Sequence, residues 1–153
     1  MNDWASTRRL PVRVILAEGL VIQGEVHLQP RVAWRDGPET PLELLNRSEA
    51  FFPMSLPHGD VVFVARAQVA ALQYQEDHLF DDPARESVAR HIPLEVMMMG
   101  GAEHRGVAHS ELPPTRARAL DFLNAPERFF TLVVEEGTLC IHRAFVRAVR
   151  PLS

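Results

Sequence analysis

The chain has 153 residues, of which 46% are hydrophobic, and a formal net charge of −4. This is the size of one ordinary globular domain or two very small ones, and it excludes a disordered protein, which would be less apolar and more strongly charged. All 16 basic residues are Arg, so chemistry that depends on a phosphate-loop, Schiff-base or kinase lysine is excluded too.

Residues 1–9 place no apolar run behind their charges, and no apolar stretch reaches the roughly 18 residues that span a bilayer. The expectation is therefore no membrane association and a location in the cytoplasm of a bacterial cell. The first strand is expected at 12–16, with Val12, Val14 and Leu16 on one face. A turn at Glu18-Gly19 leads to a second strand at 20–28, in which Ile22, Val26 and Leu28 share a face with Gly24. A glycine at an inward strand position signals sharp bending or close approach of another backbone. The loop 29–40 is rich in Pro, Gly and charge, and 41–46 reads as a short helical turn or a bent extended piece. Strands follow at 51–56, 61–65 and 68–72. The segment 74–91 is an acidic linker with room for a short helix at 83–90, which Asp82 would cap and Glu86 would close as a capping box. Strands are then expected at 94–99, 103–109, 129–134, 139–143 and 146–149.

The second set of strands repeats the first. Pro11, Val14, Gly19, Gly24 and His27 fall on Pro93, Val96, Gly101, Gly106 and His109 at constant offset. After a shorter loop, Leu42, Leu45, Asn46, Glu49, Phe51, Phe52 and Gly59 fall on Leu120, Leu123, Asn124, Glu127, Phe129, Phe130 and Gly137. One more single-residue slip brings Arg66, Ala67, Val69 and Ala71 onto Arg143, Ala144, Val146 and Ala148. The expected organisation is a first repeat at 10–73, a linker at 74–91 and a second repeat at 92–152. Five short strands with a glycine-kinked second strand suit a small, strongly bent barrel. A unit this small buries a marginal core, which favours two of them packing together.

The pattern Val14-x-Leu16-x-x-Gly19-x-x-x-x-Gly24-x-Val26 resembles the first motif of Sm-like barrel proteins. Residues 62–69 and 139–146 loosely resemble that family's second motif, an apolar strand, a basic residue and a short closing strand. Leu42-Glu43-Leu44-Leu45-Asn46 and Leu120-Asp121-Phe122-Leu123-Asn124 look like a signature of small bacterial Sm-like or SH3-like domains. The resemblance implies an all-β chain of two tandem five-stranded barrels related by internal duplication and joined by a short helical linker. It carries RNA binding less well. The distance from Gly24 to Asn46 is about twice the family's usual gap, and Ala rather than Gly follows Arg66 and Arg143.

Several residues are candidates for a site. His27 and His109 hold equivalent places on the second strands, expected to face away from the cores. Across a pseudo-twofold they would make a metal or ligand site with His104, and otherwise they are duplicated exposed histidines. Asn46 and Asn124 suit caps or tight turns. Of Phe51, Phe52, Phe129 and Phe130, neighbours on a strand must face opposite ways, so one of each pair is expected at an interface. Ile15, Met97 and Met99 make the first strands apolar on both faces, which marks them as interface candidates. The set Asp77, His78, Asp81, Asp82 reads as a solvated acidic run, and the lone Cys140 as an ordinary strand residue.

No nucleophile elbow, phosphate loop or zinc-protease motif occurs. Residues 10–79 carry an acidic excess and 92–153 are balanced, so nucleic acid is disfavoured as a partner, although Arg143, Arg147 and Arg150 would be its contacts. The expectation is a non-catalytic protein-interaction or regulatory module, without cofactor or metal, that associates with itself or another protein. The alternatives are an RNA-binding Sm-like protein and a ligand-sensing barrel with a site between the repeats.

Overall fold

The computed structural model describes residues 7–75, 90–110 and 119–152. The protein is all-β. Ten strands, β1 (Arg8–Leu16), β2 (Val21–Leu28), β3 (Phe51–Ser55), β4 (Val61–Ala65), β5 (Val69–Tyr74), β6 (Arg90–Met98), β7 (Glu103–Ser110), β8 (Phe129–Val134), β9 (Gly137–His142) and β10 (Val146–Pro151), form one antiparallel sheet. Its order is β10-β6-β7-β8-β9-β5-β1-β2-β3-β4, and it does not close on itself. The five-stranded sheets of the two expected barrels are continuous with each other: β5 pairs on one side with β1 and on the other with β9, fusing the halves. Among the described residues two short α-helices, α1 (Pro41–Leu45) and α2 (Ala119–Leu123), lie in the β2–β3 and β7–β8 connections. No helix among the described residues is long and apolar enough to cross a membrane. The acidic run at 77–82 and most of the expected helix at 83–90 lie outside the described residues, and Arg90 opens β6.

The two halves use the same strand order, β5-β1-β2-β3-β4 and β10-β6-β7-β8-β9. Their pairing registers also coincide at the offsets seen in the sequence. Val14 faces Ile22 as Val96 faces His104. Arg13 faces Gln73 as Glu95 faces Arg150. Phe52 faces Val64 as Phe130 faces Ile141.

Alternation along the strands builds two cores. One gathers Leu10, Val12, Val14, Val26, Leu28, Leu44, Leu45, Phe52, Met54, Val64, Val69 and Leu72, and also Phe129 and Cys140 from the second half. The other gathers Ile92, Leu94, Val96, Met98, Ala108, Phe130, Leu132, Leu139 and Ile141, with Ala70 from the first. Each half thus lends residues to the other's interior across β5 and β9. Burial pushes the Cys140 thiol's pKa up, so it packs as a small hydrophobe.

The segment 41–46 resolves as a helix because its first turn is capped. Thr40 Oγ1 accepts the Glu43 N–H at 3.1 Å, and a Glu43 carboxylate oxygen accepts the Thr40 N–H at 2.9 Å. Pro41 follows the cap, where its missing N–H costs nothing. Glu43 also anchors the preceding loop, accepting from Trp34 Nε1 at 2.7 Å and Arg35 Nε at 3.0 Å. Burial opposes its charge, but the hydrogen bonds from Arg35, Thr40 and Trp34 prevail and hold its pKa at about 2. A carboxylate with a lowered folded pKa stabilises the fold above its unfolded pKa and loses that contribution as pH falls through the folded value. Thermal stability is therefore expected to fall between about pH 4.5 and pH 2. The variant Glu43→Gln should flatten that part of the melting-temperature profile, and an unchanged acid limb would count against this role.

Candidate interaction surface

The junction between the halves shows how these strands recognise one another. In β5 and β9, Ala71 faces Ile141, Leu72 faces Cys140, Gln73 faces Leu139 and Tyr74 faces Thr138. The first four residues of β5 and the last five of β9 are buried. Next to the ladder, Asn46 at the C-terminus of α1 grips the start of β8. Its Oδ1 accepts the Phe129 N–H at 2.9 Å and its Nδ2 donates to the Phe129 carbonyl at 3.4 Å. Arg128 donates to the Arg47 carbonyl beside it. Covered in this way, α1 buries Pro41, Leu44 and Leu45.

The outer strands of the sheet lack such a neighbour. Among the described residues, β4 pairs only with β3, and β10 only with β6. Phe63 on β4 is 69% exposed, and Phe51 and Val61 beside it are also exposed. At the repeat offsets, Phe63 corresponds to Cys140 and Phe51 to Phe129, both buried. At the other end, β10 exposes Arg147, Ala148, Arg150 and Pro151, and leaves Val146 and Val149 half-buried. Beside it α2 has no buried residue, and Leu120 is exposed. A row of unpaired backbone groups carrying large apolar side chains is a template for pairing with another chain.

The residues singled out in the sequence are placed as follows. His27 is buried, not exposed as expected, because its strand is covered there by β3 and the segment before β1. Its ring nitrogens lie 2.9 Å from Ser55 Oγ and 3.2 Å from Thr7 Oγ1. His109 stacks on His91, its cross-strand neighbour, with ring centres 4.5 Å apart. Four strands of the sheet separate β2 from β7, and no group of three metal-ligating side chains forms among the described residues. His104 faces Val96 on β7, where burial pushes its pKa down. Ile15 and Met97 are half-buried and Met99 is exposed.

Arg143 turns inward to protein carbonyls. It donates to Leu123 at 3.0 Å, Phe122 at 2.9 Å and Glu127 at 2.6 Å, and its guanidinium sits over the Phe130 ring at 5.0 Å. Arg66 does the same in the first half, with Leu44 at 3.0 Å, Glu49 at 2.6 Å, Phe51 at 2.8 Å and the Phe52 ring at 5.3 Å. Arg150 joins Arg105 on the Glu95 carboxylate, and Arg147 is exposed. The three Arg therefore do not converge on one patch. A groove of about 810 Å³ runs over β1 and β2 and is lined only by residues from 9 to 75, so His27 and His109 do not line it. Of its three charged side chains, Arg9, Arg13 and Glu25, Arg9 and Glu25 pair with each other at 3.8 Å.

The sequence reading missed Phe63 and Val149. Its own rule for strands apolar on both faces would have found Phe63, because residues 61–65 are all apolar and their alternation leaves Val61 and Phe63 opposite the core. No protein-family model, no curated protein and no solved structure matches this chain.

Proposed function

We propose that this protein is a non-catalytic protein-interaction module built from two tandem Sm-like barrels, residues 10–73 and 92–152, that arose by internal duplication. Support for the duplication comes from the shared strand order, the matching registers and the parallel bonding of Arg66 and Arg143. Sequence spacing of this kind kept at the level of individual side-chain bonds is hard to produce by independent descent. The observation that carries the interaction role is the open β4 edge with Phe63 on its uncovered face. Water is a poor neighbour for that side chain, and burying it in a partner stabilises association by about 2 kcal/mol on area grounds.

The test is a photo-crosslinking amino acid placed at position 63 of the full chain in its source cell. A protein adduct that disappears when the crosslinker is moved to the sheet interior at position 54 is expected. The absence of any protein adduct from position 63 would overturn the reading.

A further inference from the structure

We propose that the groove over β1 and β2 is a binding site for a small organic carboxylate with an apolar body, and that Arg13 holds the carboxylate. This goes beyond the interaction role of the β4 edge and does not depend on it.

The argument begins with a row of three side chains. Val12 and Val14 enter the core, so Arg13 between them projects from the opposite face of β1 and is exposed. Gln23 on β2 and Gln73 on β5 are its direct cross-strand neighbours, so their side chains flank it on that face. All three line the groove.

The second half carries the equivalent row with its charges answered from within. Its members are Arg105, Glu95 and Arg150, in the same register across β7, β6 and β10. There the central group is a carboxylate, clamped by Arg105 at 2.7 Å and by Arg150 at 2.9 Å. In the first half the central group is a guanidinium, and both neighbours are neutral amides. Among the described residues no carboxylate pairs with Arg13. Glu25, the one acid among the described lining residues, pairs with Arg9 instead.

Arg13 therefore presents a fork of N–H donors that matches the two oxygens of a carboxylate. Gln23 and Gln73 add amide donors on either side. Gln73 places one N–H on the Glu136 carbonyl at 3.5 Å, and the second stays available.

The rest of the groove selects the other end of the ligand. Pro11 lies two residues along β1 from Arg13, and Leu56, Pro57 and Val61 add apolar surface to the same groove. Its volume of about 810 Å³ is in the range that takes small organic ligands. A carboxylate carried on an apolar chain uses both features, whereas inorganic phosphate uses only the charge.

The test is calorimetric titration of the full chain with hexanoate, compared with hexanamide and inorganic phosphate. Saturable binding of hexanoate is expected. Hexanamide has the same chain without the charge, and phosphate the charge without the chain. Each should bind more weakly by about tenfold or more. Arg13→Gln should weaken hexanoate binding by about tenfold or more. It should not move the melting temperature, because the side chain is exposed. Arg105→Gln, in the equivalent row of the second half, should leave hexanoate binding unchanged. No saturable hexanoate binding below about 10 mM, equal binding of hexanamide, or undiminished binding by Arg13→Gln would each overturn the inference. Phosphate binding as tight as that of hexanoate would overturn it too, since the groove would then read charge alone. Crosslinking at position 63 is independent of all these outcomes.

Discussion

Replacing Arg66 with Met is expected to lower unfolding stability by about 3–5 kcal/mol, read as a shift in the urea midpoint at unchanged slope. Arg66 is 1% exposed, the largest fully buried side chain among the described residues. Its guanidinium reaches three carbonyls, those of Leu44, Glu49 and Phe51, and removing it leaves the buried Leu44 carbonyl without that donor. Met keeps much of the aliphatic stem against Phe52, so the loss isolates the hydrogen bonds rather than packing. Burial pulls the guanidinium's pKa down, yet an arginine remains charged throughout the working range. Arg143→Met removes a comparable set of bonds, to Phe122, Leu123 and Glu127, at a half-exposed site where water can replace part of them. Its cost is expected to be smaller, about 1–2 kcal/mol. Equal costs for both would contradict the role given to burial.

Gly24→Ala is expected to cost about 2–3 kcal/mol, because the added methyl has nowhere to go. A Cβ at position 24 would lie 2.5 Å from the Ser55 carbonyl oxygen and 3.3 Å from its carbonyl carbon. Neither is the movable end of a side chain, so β2 and β3 would have to separate where Glu25 faces Ser55. Gly106 meets the Val133 carbonyl in the same way, at the β7–β8 contact. Gly106→Ala should therefore cost a similar amount, and a Gly24→Ala variant as stable as wild type would refute the close approach. His27 bonds Ser55 from β2, so the same displacement should also expose its ring.

The legibility of this fold in its sequence followed the range of the forces involved. Strands set by alternation and turns set by glycine are local, and all ten expected strands are present. Boundaries moved where pairing overrode propensity. The first strand starts at Arg8 because residues 8–11 pair with the end of β2 despite Pro11. Gly24 is legible in the sequence for a physical reason, since a missing side chain in a strand points to a neighbour too close for one. The junction left no such local trace. Asn46 reads as a turn residue and does cap α1, yet its side chain bonds Phe129 across the junction. Phe129 and Phe130 are both buried, one in each core, because the start of β8 is covered by α1 of the first half as well as by its own half. In the sequence Arg66 is legible only as the repeat partner of Arg143, and Arg143 only as a candidate nucleic-acid contact, since sequence does not reveal which carbonyls a folded chain will leave unpaired. The histidines at 27 and 109 share a sequence position but not an environment, because β3 and the segment before β1 cover only the first.

The central claim is that the β5–β9 junction joins the two halves while the β4 edge stays open to a partner. Amide hydrogen exchange on the wild-type chain at several concentrations tests it most directly. The amides of β5 and β9 should be protected at every concentration. Those on the outer edges of β4 and β10 should exchange faster, most clearly in dilute solution. Fast exchange of β5 and β9, or protection of the β4 edge equal to theirs in dilute solution, would contradict the account.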